Sequence, residues 1–422
     1  MIYALILFAV TYVLMLTFTK YRPYIALGSA VVFIATGMLP FDQIFGAIDW
    51  NVLLMIAGTM GLVQLFIDSR MPARLADMIM LKVPNVQMAA VALALFAGII
   101  SAFVDNVATV LMVAPVALAI CKKLKTNPVP FIIGIAVSSN LQGAATLVGD
   151  TTAIMLGSYA DMSFLDFFWY KGRPGIFFAV ELGAIASALI LAWLFRKEKD
   201  SIEQRGELTP VTDYVPTVLL VGMIALLISA SFIPVKPDIT NGLICVSLFI
   251  IGMVYTFART RSADAFLGPI KSIDFETIGL LFGLFLVIGG ITNMGVVDAA
   301  AGLLARMGGG NVFVIYTVIV WASVLFSAFI DNIPYVATML PVVTGLASTL
   351  GIDPTLLYFG LLSGATLGGN CTPIGASANI TGIGILRREG YEVKTGDFCR
   401  IGIPFTLAAV IPAYIYFWLL YA

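Results

Sequence analysis

Three observations predict an all-α polytopic membrane protein, built as an inverted-topology repeat with about ten spanning helices, two re-entrant helical hairpins and two broken helices. The 422-residue chain is 60% hydrophobic and only 11% charged, with a mean hydropathy of +1.02, whereas a soluble domain carries roughly 25% charge. Many of its apolar runs approach or exceed the ~20 residues needed to cross a bilayer. A long stretch of it also recurs: SAFVDNVATVLMVAPV (101–116) returns as SAFIDNIPYVATMLPV (327–342). The short alternating strands of a membrane β-barrel do not occur.

Spanning helices are expected near 2–19, 23–40, 48–67, 129–157, 174–195, 215–232, 240–258, 275–292, 354–386 and 402–421. The first, MIYALILFAVTYVLMLTF, lacks a basic start and a small-residue cleavage site, so it reads as a helix and not as a removed signal. Two apolar segments, 86–121 and 310–346, are too long for one crossing. A straight helix of about 36 residues would reach ~54 Å against a hydrocarbon core of ~30 Å. Each carries Asp-Asn near its middle, which fits a re-entrant hairpin with the polar pair at its turn. Segments 71–82 and 296–306 occupy matching places and read as amphipathic arms at the interface. The chain thus divides into N-terminal scaffold helices (1–45), a first repeat (46–160) and scaffold helices with a polar cytoplasmic linker (161–270). A second repeat (271–390) and a C-terminal helix (391–422) follow.

Basic residues orient this plan. Lys20, Arg22, Arg70, Arg74, Lys82, Lys122, Lys123, Lys125, Arg196, Lys197, Lys199, Arg205, Arg259, Arg261, Lys271, Arg387, Arg388, Lys394 and Arg400 fall on one side, and only Lys171, Arg173, Lys236 and Arg306 on the other. The basic side is assigned to the cytoplasm, which puts both termini outside. The asymmetry holds only if each hairpin enters and leaves on one side, the first from the cytoplasm and the second from outside. The echo supports a duplication: Ser101 and Ser327, Pro115 and Pro341, Pro128 and Pro354, and TLVGDTTAI (146–154) and TPIGASANI (372–380) share one offset of 226. AIDWN (47–51) and SIDFE (272–276) are 225 apart. Hairpins opening to opposite sides make the repeat inverted.

The chemistry follows from what is buried. An unpaired carboxylate deep in a membrane costs at least ~2.5–3.5 kcal/mol on insertion scales, so Asp105 and Asp331 are candidate ion ligands, with Asn106 and Asn332 as neighbouring oxygen donors. Asp and Asn also cap helix starts, and the two roles are compatible. After each hairpin a helix is interrupted by glycine, threonine, asparagine and proline, in SSNLQGAATLVGDTTA (138–153) and SGATLGGNCTPIGASAN (363–379). Such breaks expose helix ends that bind ions near the bilayer midplane. Asp150 adds a third carboxylate, and its match in the second repeat is Ala376. No lysine or arginine is expected at that depth. Oxygen donors alone suit hard cations such as Na⁺, and an aspartate held away from water can take up a proton. With no histidine, imidazole metal sites and histidine relays are excluded. Four scattered cysteines imply no disulfide framework, and Cys371 reads as a small buried residue. No basic cluster suggests nucleic acid, and no catalytic cluster suggests an embedded enzyme or calls for a cofactor.

At SAFVDNVATVLMVAP, SAFIDNIPYVATMLP, TLVGDTTA and LGGNCTPIGASANI the chain resembles the ion transporter superfamily, which holds the arsenite permeases, the NhaD-type Na⁺/H⁺ antiporters, the P protein and the citrate-transporter-like divalent anion/Na⁺ symporters. The resemblance spans roughly 45–400 and is closest to P-protein-like and NhaD-like members. It implies a homodimer in the cytoplasmic (inner) membrane, with a scaffold and a mobile transport domain that moves as an elevator. It also implies Na⁺ or H⁺ as coupling ions and a small ion as substrate. Carried over by position, Ser101, Asp105, Asn106 and Gly149 frame one cation site, and Ser327, Ile330, Asp331, Asn332 and Gly375 the other. Substrate contacts fall at Asn106, Thr146, Asp150, Asn332, Asn370, Thr372, Ala376 and Ser377. The symporters carry Ser-Asn-Thr at each tip, where this chain has Asp105-Asn106-Val107 and Asp331-Asn332-Ile333. Aspartates there, and the lost threonines, point away from a dicarboxylate and towards Na⁺/H⁺ exchange. Cation-coupled transport of a carboxylate, inorganic oxyanion or arsenite is the alternative, and a channel would conduct without gradient coupling.

Overall fold

The computed structural model describes residues 1–124, 126–197 and 208–422. Lys125, Lys199, Arg205 and most of the polar linker 196–213 lie outside them. Among the described residues the regular secondary structure is helical apart from one short antiparallel pair, Trp169–Tyr170 with Arg173–Pro174.

The chain opens with α1 (Ile2–Thr17) and α2 (Arg22–Ala35), and a 117° bend separates α1 from the segment Thr19–Ala35. α2 stops short of the expected 40. Gly37 takes a left-handed φ of 71°, and Leu39 N–H donates back to the Phe33 carbonyl at 3.1 Å, which closes the helix end. A short α3 (Ile44–Ala47) leads to α4 (Trp50–Asp68), α5 (Met71–Met80), α6 (Val86–Ser101), α7 (Asn106–Leu124), α8 (Val129–Gly143) and α9 (Thr151–Tyr159). Then come α10 (Ile176–Leu194), α11 (Val215–Ser231), α12 (Thr240–Thr260) and α13 (Ala263–Lys271). The series α4 to α9 then recurs as α14 (Phe275–Asn293), α15 (Val296–Met307), α16 (Val312–Ser327), α17 (Asn332–Leu350), α18 (Thr355–Gly368) and α19 (Ser377–Arg388). The last helix, α20, runs Thr395–Tyr421, with a polar first turn that reads as loop in the sequence.

Among the described residues seven helices are long and apolar enough to cross a membrane, or up to nine if each of two bent pairs is one span. The expected spans at 48–67, 174–195, 240–258, 275–292 and 402–421 are the unbroken α4, α10, α12, α14 and α20. α11 is apolar but shorter, at 17 residues. Segments 129–157 and 354–386 are each interrupted at the polar cluster, and 86–121 and 310–346 each turn at Asp-Asn.

The same local chemistry starts the helices of both series. Asp49 caps α4 by accepting from Val52 N–H, and Asp274 caps α14 by accepting from Thr277 N–H, each at 3.0 Å. Asn85 and Asn311 cap α6 and α16 by accepting from Met88 and Val314 N–H. These side chains satisfy donors that a helix start leaves free. Packing repeats as well. α4 lies on α12 and α14 on α2, while α6 packs on α8 and α16 on α18. At the first two crossings a Cβ on Gly58 would sit 2.5 Å from the Cys245 backbone and one on Gly283 2.7 Å from Ala26. Small residues there let the helix axes approach.

Candidate ion-binding site

Each turn between paired helices is pinned to the break of the helix that follows. Thr146 Oγ1 donates to the Ala102 carbonyl and Thr372 Oγ1 to that of Ala328, the same bond in both halves. The chains then touch at glycine. A Cβ on Gly149 would lie 2.6, 2.7 and 2.8 Å from the carbonyl oxygens of Gly143, Ser101 and Ala102. On Gly375 it would lie 2.6, 2.7 and 2.9 Å from those of Gly369, Ser327 and Ala328. Only glycine fits, and three carbonyl oxygens converge at each crossing.

The tips also cap their own helices. Asp105 Oδ1 accepts from the Val107 and Ala108 N–H groups at 3.0 and 3.2 Å, and Asp331 Oδ1 accepts from Ile333 N–H at 3.2 Å. At the breaks the half-helices α9 and α19 begin at Asp150 and Ala376 in matching extended backbone, φ −145° and −143°. Thr152 Oγ1 donates to Asp150 Oδ2.

A buried amide seam joins the halves. Asn106 Nδ2 donates to Asn140 Oδ1 at 2.9 Å. Asn140 Nδ2 donates to the Thr366 carbonyl at 2.6 Å and to Asn370 Oδ1 at 3.0 Å, and Asn370 Nδ2 donates to the Val137 carbonyl at 3.1 Å. Asn140 and Asn370 are fully buried. The Ser139 hydroxyl lies 3.0 Å from Ser101 Oγ and from the Asn106 carbonyl.

Five of the expected site residues, Asp105, Asn106, Asp150, Asn332 and Ser377, line one cavity of about 130 Å³. Both tips and both breaks therefore reach one space. Ser101, Gly149, Ser327 and Gly375 form the crossings behind it. Thr146, Asn370 and Thr372 are committed to the bonds above, Ala376 is buried beside Gly375, and half-buried Ile330 does not line the cavity. Asp331 lies beside it, where its Oδ2 accepts from Ser377 Oγ at 3.1 Å. The absence of deep basic residues needs correction. Arg22 Nη1 stands 3.4 Å from Asp331 Oδ2, because an arginine at the start of α2 is long enough to reach inward. None of the cavity-lining residues is lysine or arginine.

The cavity wall includes residues that the sequence did not single out, Gln64, Thr151, Ser272, Asp274 and Thr277. The SIDFE echo held the signal for Asp274, which reads there only as a repeat marker. A larger cavity of about 1850 Å³ is lined by Asp42, Asp49, Asp161, Asp166 and Asp238 against the single cation Lys236. No group of three or more Cys, Asp or Glu side chains among the described residues could hold a metal ion by itself, so any cation held here would need backbone carbonyls and amide oxygens as well. Cys371 is half-buried and away from the small cavity.

A profile of the citrate transporter family matches residues 12–362 and 242–422. An uncharacterized transporter of Mycobacterium tuberculosis is 30% identical over 100% of this chain and 99% of its own. The 46 kDa membrane protein of Mycobacterium leprae is 30% identical over 99% and 98%. The human P protein is 29% identical over 74% of this chain and 46% of its own. Among solved structures, the Alcanivorax borkumensis YdaH transporter shares the fold with a TM-score of 0.63 at 14% identity, over 96% of this chain and 97% of that one.

Proposed function

The chain belongs to the citrate transporter family, and from that premise we propose that it is a cation-coupled secondary transporter exchanging Na⁺ for H⁺. It is a multi-pass membrane transporter and not an enzyme. The observation that carries the cation is the small cavity shared by both tips and both breaks. Asp105, Asp150 and Asp274 line it with no lysine or arginine among the lining residues. A free anion there would face carboxylates in a low-dielectric site, whereas Na⁺ would gain carboxylate, amide and carbonyl oxygens. Asp150 and Asp105 can alternate between a proton and a cation, which is the competition an exchanger needs.

In this proposal the two helix–turn–helix pairs are re-entrant and enter from opposite membrane faces. The two series of helices are then inverted repeats, as the shared caps and crossings support. Pairs and breaks move together as an elevator against the scaffold helices, within a homodimer of the cytoplasmic membrane. The second reading is cation-coupled uptake of a carboxylate, which the family description favours. The anion would have to arrive with cations or meet protonated aspartates.

The test is the protein in liposomes with an internal pH reporter, offered Na⁺, Li⁺, K⁺, citrate and arsenite in turn. Proton flux driven by Na⁺, and lost in Asp105→Asn and Asp150→Asn, is the expected result. Uptake of labelled citrate with no proton response to any cation would overturn it in favour of the second reading.

A further inference from the structure

Arg22 begins α2, in the N-terminal pair of helices, yet its guanidinium reaches the second tip. Nη1 lies 3.4 Å from Asp331 Oδ2, and the side chains are only 17% and 12% exposed. Arg22 Nε donates to the Met15 carbonyl at 3.2 Å, which holds the guanidinium against the end of α1. The same pair of helices grips the arm behind the tip. Tyr12 OH donates to the Pro334 carbonyl at 2.7 Å and meets the Thr338 hydroxyl. Beside this pair Asn332 is 4% exposed, and its Nδ2 has no hydrogen-bond partner among the described residues although the residue lines the small cavity. Among the described residues the first tip has no such ion pair: Asp105 lines the cavity together with Gln64 and Asp274.

We propose that Arg22 is a tethered counter-cation for Asp331, which latches the second tip to the N-terminal helices and is displaced by a free cation when the tip moves. The inference rests on the transport reading, in which tips move relative to scaffold helices. A guanidinium and a small cation both compensate a carboxylate, so they compete for Asp331. Withdrawing the tip from Arg22 with nothing in exchange would leave a desolvated carboxylate unpaired, which is strongly unfavourable. The tip therefore leaves Arg22 only when a cation has replaced it, and occupancy is tied to movement. The first tip binds its cation with no competitor, so the two sites are unequal.

The full-length purified protein is followed by hydrogen–deuterium exchange of segment 328–338 during a Na⁺ titration, for wild type, Arg22→Gln, Arg22→Lys, Asp331→Asn and the Arg22→Gln/Asp331→Asn double variant. Without Na⁺, exchange in Arg22→Gln is expected to rise about fivefold, the factor for about 1 kcal/mol of ion pair. Its Na⁺ midpoint should fall by a similar factor because the competitor is gone. Arg22→Lys stays near wild type, and the double variant matches Asp331→Asn alone. An unchanged tip in Arg22→Gln, or effects of the two substitutions that simply add, would overturn the latch. The two ideas fail separately. An opened tip in Arg22→Gln with no Na⁺ response in any variant keeps the pairing but removes Na⁺ as the displacing ion. A normal Na⁺ response at an unmoved midpoint keeps cation binding and removes the competition.

Discussion

Asn140 holds more of the centre together than any one aspartate. Its amide accepts from Asn106 and donates to both Thr366 and Asn370, so one side chain links the first tip, the first broken helix and the second. Asn140→Ala would leave the Asn106 amide and the Asn370 oxygen short of partners in a dry interior, at a cost of about 1–3 kcal/mol for each group orphaned. The purified variant should melt at a lower temperature than wild type and lose transport with it, whereas Asp105→Asn should lose transport with little change in melting. Equal melting of Asn140→Ala and wild type would show that water or side-chain movement replaces the seam. The two kinds of residue differ in legibility for a physical reason. Asp105 and Asp331 stand out in the sequence because a charge inside an apolar run is costly wherever it lands. Asn140 sits in SSNLQG, within a segment the sequence marks as interrupted, but its partners Thr366 and Asn370 lie more than 200 positions on, so no local pattern shows what it joins. Arg22 reads as an ordinary charge at a membrane edge, and only the path of its long side chain reveals the pairing with Asp331.

Breaks and tips that interrupt an apolar run carry a signal in the sequence, and helix ends that interrupt none carry less. The breaks at 144–150 and 369–376 were visible because glycine, threonine and asparagine cluster there, and the tips because Asp-Asn interrupts two overlong apolar runs. The early end of α2 depends on the left-handed Gly37. The start of α20 at Thr395 runs through a polar turn, TGDFCR, that carries no apolar signal. Within the breaks the residue chosen at each crossing is set by space alone. Gly149→Ala and Gly375→Ala each place a methyl under 3 Å from three carbonyl oxygens on two segments. Backbone on both sides would have to shift, at a cost of about 1–3 kcal/mol or more for overpacking. Both variants should give less folded protein in detergent extracts and no transport in liposomes. Gly302→Ala is the control, since its added Cβ meets nothing within 4 Å. Similar effects at all three positions would mean that backbone flexibility, and not the close crossing, explains the glycines.

The molecule as a whole places equivalent parts of its two halves in different cavities. Asp49 and Asp274 cap the first long helix of each series with the same bond. Asp49 lines the larger cavity and Asp274 the smaller one. A duplicated unit facing the same way twice would put both caps on one face of the membrane, while an inverted unit puts them on opposite faces. The basic residues give the direction. Arg259, Arg261 and Lys271 lie just before Ser272 and Asp274, whereas residues 41–49 hold two aspartates and no lysine or arginine. The smaller cavity should therefore open to the cytoplasm and the larger one away from it. In a variant with Cys121, Cys245, Cys371 and Cys399 replaced and transport retained, Ser272→Cys should react with a membrane-impermeant thiol reagent only in inverted vesicles. Asp42→Cys, in the larger cavity, should react only in intact cells. Labelling of both from one side would refute the inverted arrangement, and with it the entry of the two tips from opposite faces. Opposite labelling would support entry of the tips carrying Asp105 and Asn332 from opposite faces, so that ion sites in their shared cavity can be offered to each side in turn.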